Sequence, residues 1–179
     1  MKGKTIFIAG VYGTGKSTLC SGISTNLGIP HFSASDLISS KIGEQYGRNK
    51  QVADKVNNQN ILVKSVQELF HHNEIILLAG HFCIFGKENN VEILPEFVYH
   101  QLNIENIILL EANIQQIQKH LLNRDGKDYF SEALNELIKA ERKQSEIIAH
   151  KLSCDLFIHK MLFNENDVVK IIEYLKRGI

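Results

Sequence analysis

A glycine-rich segment near the N-terminus has the residue types and the spacing to hold phosphate groups. Residues 10 to 17 read Gly-Val-Tyr-Gly-Thr-Gly-Lys-Ser, a full match to the pattern G-x-x-x-x-G-K-[ST]. Its glycines let the backbone curl with N–H groups directed inward and no Cβ in the way of an anion. The segment therefore predicts a loop that binds the phosphates of a nucleoside triphosphate.

The polar residues that end this segment supply the remaining chemistry. Lys16 is placed to bridge the β- and γ-phosphates, and the Ser17 hydroxyl is placed to bind magnesium. A helix that begins near Lys16 would present its positive end to the same anion. We therefore predict a site for ATP and Mg²⁺. The predicted nucleotide-binding residues of the loop are Gly10, Tyr12, Gly13, Thr14, Gly15, Lys16, Ser17 and Thr18.

The elements that would position this loop predict an α/β fold. Five short apolar runs, each too short for a helix and each with β-branched or aromatic residues, predict buried parallel strands. They are residues 5–9, 30–32, 75–78, 106–110 and 155–158. Helical patterns separate them, the clearest at 16–27, 131–152 and 164–176. The alternation indicates a five-stranded parallel sheet with helices on both faces.

Composition narrows the class of protein. Lys plus Arg equals Asp plus Glu, at 20 each in 179 residues, so no bulk charge directs the chain to nucleic acid or an anionic membrane. No apolar run approaches the roughly 18 residues that a membrane span needs. The scattered cysteines Cys20, Cys83 and Cys154 indicate free thiols in a reducing compartment. We expect one domain over residues 1–179, a cytoplasmic location, and neither a membrane nor a nucleic-acid partner; the oligomeric state stays open.

With these motifs in order, the chain resembles the P-loop nucleoside monophosphate kinases, and among them the small archaeal-type adenylate kinase-like proteins. Besides the loop, the resemblance is carried by four segments. They are residues 32–38 (FSASDLI), 78–82 (LAGHF), 121–128 (LLNRDGKD) and the pair Glu141-Arg142. The resemblance implies the three-layer fold of P-loop NTPases, an acceptor-binding region at about 33–60 and a short mobile lid at about 124–130.

The same resemblance implies an activity and assigns residues to it. It implies transfer of the ATP γ-phosphate to a small acceptor, such as the nucleoside monophosphate AMP. Cations must neutralise the charge on the transferring group, and the resemblance gives this role to Lys16, Arg124, Lys127 and Arg142. By position, His120 would stack on the nucleotide base and Arg124 would also contact the nucleotide. The acceptor would be bound by Asp36, His81, Phe82 and Phe85.

Three departures from the family pattern bear on these roles. Ala79 stands where the family usually has an aspartate that holds the water shell of magnesium. Ser39 stands near the position of an arginine that contacts the acceptor phosphate in bacterial adenylate kinases, and the lid is short, with Lys127 in place of its second arginine. Asp36 is expected at the carboxyl end of a neighbouring strand, where it would join Ser17 as a magnesium ligand.

Simpler interpretations stand beside several of these roles. Asp36 also fits a helix N-terminus, and Arg124 a helix C-terminus, through the helix dipole. Arg142 fits a solvated helix face as well as a phosphate contact, and Phe82 and Phe85 fit the core as well as a pocket wall. The alternative functions are a P-loop kinase for a non-nucleotide metabolite, or a nucleotide-dependent binding or regulatory module with slow ATPase activity. The absence of an aspartate at Ala79 favours the last of these.

Overall fold

The computed structural model of the protein describes residues 3–42, 55–126 and 129–178. The strands of its main sheet are β1 (Lys4–Ala9), β2 (His31–Ser33), β3 (Ile75–Ala79), β6 (Ile104–Glu111) and β7 (Asp155–Lys160). They are all parallel, in the order β2-β3-β1-β6-β7. The predicted fold class is confirmed, and the ends of the strands differ from prediction by no more than two residues.

Helices cover both faces of this sheet. They are α1 (Lys16–Leu27), α2 (Ala34–Ile42), α3 (Lys55–Leu69), α4 (Phe97–Gln101), α5 (Ile114–Asp125), α6 (Ser131–Leu152) and α7 (Glu165–Gly178). The side chain of Asn113 caps α5 by accepting the N–H of Gln115 at 2.9 Å. In the described ranges, no helix is both long enough and apolar enough to span a bilayer.

Side chains that alternate along β1 divide the core into two halves. Phe7 faces a cluster that includes Val66 of α3 and Leu137 of α6. Ile8 faces the opposite cluster, which includes Ile23 of α1 and residues of α7. Successive side chains of a strand point to opposite faces of the sheet, so an unbroken apolar strand must be covered on both sides. This sandwich holds β1 rigidly at the centre and fixes the direction in which the following loop leaves it.

An antiparallel hairpin of β4 (Cys83–Phe85) and β5 (Val91–Ile93) follows β3 and packs against α6. The sequence pattern did not indicate it, because its strands have only three residues each and, unlike β2, are not separated by a helical pattern. Two further predictions lie partly or wholly outside the described residues. The acceptor region at about 33–60 is described only in part, and Lys127 of the predicted lid falls outside the described ranges.

Candidate functional site

The loop between β1 and α1 curls at its glycines. Gly10, Gly13 and Gly15 have φ angles of 148°, 79° and 85°. Residues with a Cβ rarely adopt such positive φ angles. Gly15 is the N-cap of α1, and its carbonyl accepts the N–H of Leu19 at 3.0 Å. The helix therefore begins directly at the loop. The N–H groups of its first turn, which have no partner within the helix, lie beside the curled segment.

Side chains from the loop itself hold it closed. The Lys16 Nζ donates to the carbonyl oxygen of Gly10 at 2.6 Å and to that of Val11 at 3.0 Å. The Thr14 hydroxyl, which is buried, donates to the same Val11 carbonyl at 2.8 Å. The Thr14 and Lys16 side chains thus both stabilise the curled loop by donating to its main-chain carbonyls.

The loop forms one wall of a cleft of about 790 Å³ at the carboxyl ends of β1 and β3. This volume lies within the range of roughly 300–1,000 Å³ that is typical of small-molecule sites. Most of the predicted nucleotide-binding residues line it together: Tyr12, Gly13, Gly15, Lys16, Ser17, Thr18, His120 and Arg124. Ligands of parallel α/β sheets bind at this edge, so the cleft has the expected place for a nucleotide.

α5 contributes two of the predicted nucleotide-binding residues, His120 and Arg124, to the lining of the cleft. His120 Nδ1 lies 2.9 Å from the carbonyl oxygen of Gly13. A carbonyl oxygen can only accept, so Nδ1 carries the hydrogen of this hydrogen bond. The His120 ring also meets the Phe163 ring edge-on, with centroids 4.5 Å apart. Arg124 is half exposed, and its guanidinium is paired with Asp125 through two contacts of 2.6 Å. That hydrogen-bonded pair raises the pKa of Arg124.

A segment that the sequence did not point to forms the opposite wall. It follows β7 and supplies Met161, Phe163, Asn164, Glu165, Asp167 and Val168 to the lining. Asp167, only 1% exposed, shapes it by accepting the N–H groups of Leu162 and Asn164 and by bonding to His159 Nε2 at 2.7 Å. Burial opposes the ionisation of Asp167, but these hydrogen bonds outweigh it and lower the pKa of the carboxyl.

A second missed residue, Glu141, lies at the base of the site on α6 and is also 1% exposed. Its carboxylate accepts the N–H of Gly10 at 3.2 Å, that of Phe82 at 3.0 Å and that of Cys83 at 2.7 Å. Burial raises its pKa to about 7, although the three N–H donors and the charge of Lys16 act in the opposite direction. The helical spacing in the sequence indicates this burial, because position 141 lies on the apolar stripe of α6, four residues after Leu137.

Arg142 points away from the cleft. Its guanidinium forms ion pairs with Glu111 at 2.9 Å and with Glu146 at 3.2 Å, and the side chain is half exposed. It is not among the residues that line the cleft. Adjacent positions of a helix face different directions, so the burial of Glu141 turns Arg142 outward. This placement fits the solvated helix face and not the predicted phosphate contact.

The predicted acceptor segments meet at the other end of the cleft. A smaller adjoining cavity of about 80 Å³ lies between residues 34–38 and 80–84. Its lining residues are Phe7, Tyr12, Ala34, Ser35, Ile38, Gln59, Leu62, Gly80, His81, Ile84, Leu94, Tyr99 and Leu102. Asp36 is exposed in the first turn of α2 and lines neither cavity, so its placement fits the helix N-terminus and not the predicted magnesium or acceptor site.

Phe82 and Phe85 require a correction. Phe82 is fully buried against Phe7 and Tyr99, with ring centroids 5.2 Å and 4.8 Å away, and Phe85 is buried against Tyr129. Neither ring lines either cavity. The unforeseen hairpin is the reason, because it turns this segment into the core directly after His81. The apolar wall comes instead from residues such as Ile84.

The chain also matches a known protein family. A family described as an AAA domain matches residues 9–139. The chain belongs to that family. It is also 25% identical over 126 residues to adenylate kinase isoenzyme 1 of Oryctolagus cuniculus, a match that covers 69% of this chain. The match spans 65% of the rabbit enzyme, less than two thirds of its length. The resemblance to P-loop nucleoside monophosphate kinases is thereby confirmed.

Solved structures agree on the fold. Shikimate kinase of Aquifex aeolicus superposes with a TM-score of 0.61 at 16% identity, over 97% of this chain and 96% of that one. A gluconokinase of Sinorhizobium meliloti superposes with a TM-score of 0.54 at 12% identity, over 98% and 97% of the two chains. At such low identity, these structures establish the fold of P-loop kinases and nothing about the acceptor.

Proposed function

We propose that the protein is an ATP-dependent phosphotransferase that moves the γ-phosphate to a small acceptor, with a nucleoside monophosphate such as AMP as the first candidate. One observation carries the proposal. The loop with Lys16 and Ser17 shares a continuous cleft with Ser35, Gly80 and His81, so a donor and an acceptor would meet at one edge of the sheet. Positioning of this kind, together with electrostatic stabilisation, accounts for most of the catalysis of phosphoryl transfer.

The residues present fit ATP with magnesium. A Cβ at Gly13 would meet the carbonyl oxygen of Ile117 at 3.1 Å, so the tight curl of the loop depends on glycine there. The Ser17 hydroxyl is the protein ligand that we propose for magnesium, which when bound would neutralise phosphate charge. Among the described residues, no group of three or more His, Cys, Asp or Glu side chains is arranged to hold a metal ion by itself. Phosphate oxygens would therefore supply most of the other ligands.

The base of the nucleotide is proposed to lie between α5 and the segment after β7. His120 and Phe163 form an aromatic corner there, and Met161 adds an apolar surface. The Asp167 carboxylate holds this segment in place by accepting the main-chain N–H groups of Leu162 and Asn164. An apolar and aromatic wall with main-chain polar groups is typical of sites that bind planar bases.

Lys16 and Arg124 are the cations proposed to act on the transferring phosphate. Both line the cleft in the described part of the chain. Arg124 is held by Asp125 and would exchange this partner for phosphate oxygens, which bind a guanidinium with the same forked geometry. We retain Lys127 as a proposed lid cation from the sequence alone.

A specific observation favours a second candidate, a kinase for an uncharged hydroxyl compound. The described residues that line the smaller cavity include no Lys or Arg; their polar groups come mainly from Ser35, Gln59, His81 and Tyr99. A neutral hydroxyl needs hydrogen bonds of this kind, whereas an anionic acceptor is usually bound by cations. A third candidate, a regulatory module with slow ATPase activity, is favoured by Ala79, which puts no carboxylate at the end of β3.

A screen of ATP consumption separates these candidates. ATP and Mg²⁺ are supplied with each of several nucleoside monophosphates, nucleosides and sugar acids, and without an acceptor. We expect consumption to rise strongly with one acceptor class. Equal, slow consumption under every condition would contradict transfer and favour the ATPase module. We further propose a cytoplasmic location, because Cys20, Cys83 and Cys154 are all free thiols.

A further inference from the structure

One carboxylate links the two sides of the proposed transfer site. Glu141 on α6 accepts the N–H of Gly10, the first residue of the glycine-rich loop. The same group accepts the N–H groups of Phe82 and Cys83, which follow directly after Gly80 and His81. Gly10 precedes the donor side of the cleft, and Gly80 and His81 line its acceptor side. The rings of Tyr12 in the loop and His81 are also in contact, with centroids 4.6 Å apart, so Glu141 is one of the links that join the two segments.

A carboxylate at this position costs stability that an apolar residue would not. Neighbours on the buried stripe of α6 include Leu134, Leu137 and Ile148, so a leucine or methionine at position 141 would pack without desolvating a charge. What an apolar side chain cannot do is accept hydrogen bonds. Three main-chain donors are matched best by an ionised carboxylate, which has two accepting oxygens and no proton of its own. The geometry therefore requires this group for its acceptors and its charge.

We propose that Glu141 is a positioning residue for phosphate transfer, and that its ionised carboxylate sets the spacing between the glycine-rich loop and the turn after β3. It acts through the main chain of Gly10, Phe82 and Cys83 and touches neither substrate. The inference rests on the proposed function, because a fixed spacing matters only if donor and acceptor meet in the cleft. A displacement of about 1 Å in such a site is enough to cost on the order of a hundredfold in rate.

The surroundings of Glu141 make its charge adjustable near neutral pH. The groups that face it are Lys16 and Tyr12 from the loop, Cys83 from β4 and Tyr99 from α4. Lys16 is the sole cation among them. Burial raises the pKa of Glu141 to about 7, so a fall in pH from 8 to 6 protonates the carboxylate. The added proton removes an acceptor from its hydrogen bonds to the main chain. Transfer would lose rate over the same interval.

Stability follows the opposite direction. The folded-state pKa of about 7 lies above the ordinary value of 4.5, so the folded state binds this proton more tightly than the unfolded chain does. The resulting stabilisation is complete below pH 4.5 and disappears as the pH rises through 7. Ionisation of Glu141 would therefore favour transfer while it disfavours the fold. A side chain with a purely structural role would not produce these opposite trends.

The test compares the wild type with Glu141→Gln, Glu141→Asp and the control Glu146→Gln, which alters an exposed glutamate on the same helix. For each, kcat and KM for transfer, the Kd of ATP and the melting temperature are measured from pH 5.5 to 8.5. We expect Glu141→Gln to lower kcat tenfold or more, to change the Kd of ATP less than threefold, and to abolish the rise of kcat near pH 7. As the pH rises, the melting temperature of Glu141→Gln should increase relative to that of the wild type. Glu141→Asp, which keeps the charge but is one methylene shorter, should retain the rise at a reduced rate.

The NMR signals of the three main-chain amides test their hydrogen bonds to Glu141 without any assay of activity. In ¹⁵N NMR spectra, the signals of Gly10, Phe82 and Cys83 should titrate together near pH 7 in the wild type and in Glu146→Gln, but not in Glu141→Gln. Wild-type kcat and an unchanged pH profile in Glu141→Gln would overturn the proposal, as would separate titration of the three amides. Should the wild type transfer phosphate to no acceptor, the proposed function itself would be contradicted. Transfer that is equal in the wild type and Glu141→Gln would contradict only the role of Glu141.

Discussion

The Lys16 Nζ lies 2.6 Å from the carbonyl oxygen of Gly10, so the cation of the glycine-rich loop is held against the start of its own loop. The contact fixes the ammonium group within the cleft that Lys16 helps to line. Its present partner is a neutral carbonyl, whereas a phosphate oxygen carries negative charge, so the Coulomb attraction to a bound nucleotide would draw the ammonium group away from Gly10. Lys16 is thus placed to exchange its partner when a nucleotide binds.

Replacement of Arg124 should affect the rate more than nucleotide binding. We expect Arg124→Ala to lower kcat by on the order of a hundredfold, because the guanidinium would stabilise charge that develops during transfer. The Kd of ATP should change only modestly. Steady-state kinetics with the best acceptor measure both. Arg177→Ala, an exposed arginine in the last turn of α7, is the matched control and should behave as the wild type. An unchanged kcat in Arg124→Ala would return this residue to a role at the helix end.

Replacement of His81 should affect the acceptor and not the donor. His81 lines both cavities, so we expect His81→Ala to reduce kcat/KM for the acceptor at least tenfold and to leave the Kd of ATP unchanged. The control is His100→Ala, which removes an exposed histidine of α4 that contacts Glu96. Should both variants keep the wild-type kcat/KM, the acceptor does not bind beside His81.

Restoration of a carboxylate at the end of β3 should increase the response to magnesium. Ala79 lines the cleft at the position where the resembling kinases usually have an aspartate. We expect Ala79→Asp to lower the magnesium concentration that gives half-maximal transfer, by several-fold to about tenfold, because an anionic oxygen stabilises the ion or its water shell. Ala79→Asn has nearly the same shape without the charge and is the control. Equal magnesium curves for the two variants would exclude a metal-related role for this position.

Loss of the Asp167 carboxylate should destabilise the wall formed after β7. Asp167→Ala leaves His159 and two main-chain N–H groups without their acceptor, and we expect it to lower the free energy of unfolding at pH 7 by about 3 kcal/mol. The pKa of Asp167 in the folded protein lies below 3.8, so its stabilisation is present above that pH and is lost as the pH falls through the folded value. The gap between wild type and variant should therefore close in acid.

Chemical denaturation at several pH values measures this difference. Glu173→Ala, an exposed position on the same helix, controls for the change in side-chain size and helix propensity. A gap between wild type and Asp167→Ala that stayed constant from pH 7 to pH 2.5 would show that the carboxylate contributes packing and not charge.

The sheet and the glycine-rich loop followed from local sequence. Apolar runs and glycine spacing are properties of neighbouring residues, so β1, α1 and the loop between them were predicted almost to the residue. The β4–β5 hairpin was not, because its three-residue strands show no periodicity and, unlike β2, are not separated by a helical pattern. Phe82 and Phe85 were consequently assigned to a pocket, although tertiary packing draws both into the core.

In the proposed site, the loop followed from the sequence, whereas the contacts between residues distant in sequence did not. Glu141 contacts Gly10 across 131 residues, and no local pattern of charge indicates such a contact. The same holds for the wall after β7 that we propose for the nucleotide base, which lies beside the loop because β7 pairs with β6 and β6 pairs with β1. Arg142 illustrates the reverse case, because the solvated helix face that the sequence analysis kept as an alternative is where its ion pairs with Glu111 and Glu146 place it.

The fate of the terminal phosphate of ATP tests the central claim most directly. ATP labelled at its γ-phosphate is mixed with Mg²⁺, the best acceptor and either the wild type or Lys16→Ala, and the labelled products are separated. We predict that the wild type moves the label to the acceptor, and that Lys16→Ala, while still folded, does so at least about a hundredfold more slowly. Label found only in inorganic phosphate with every acceptor, or equal transfer by Lys16→Ala, would contradict a phosphotransferase that acts through this loop.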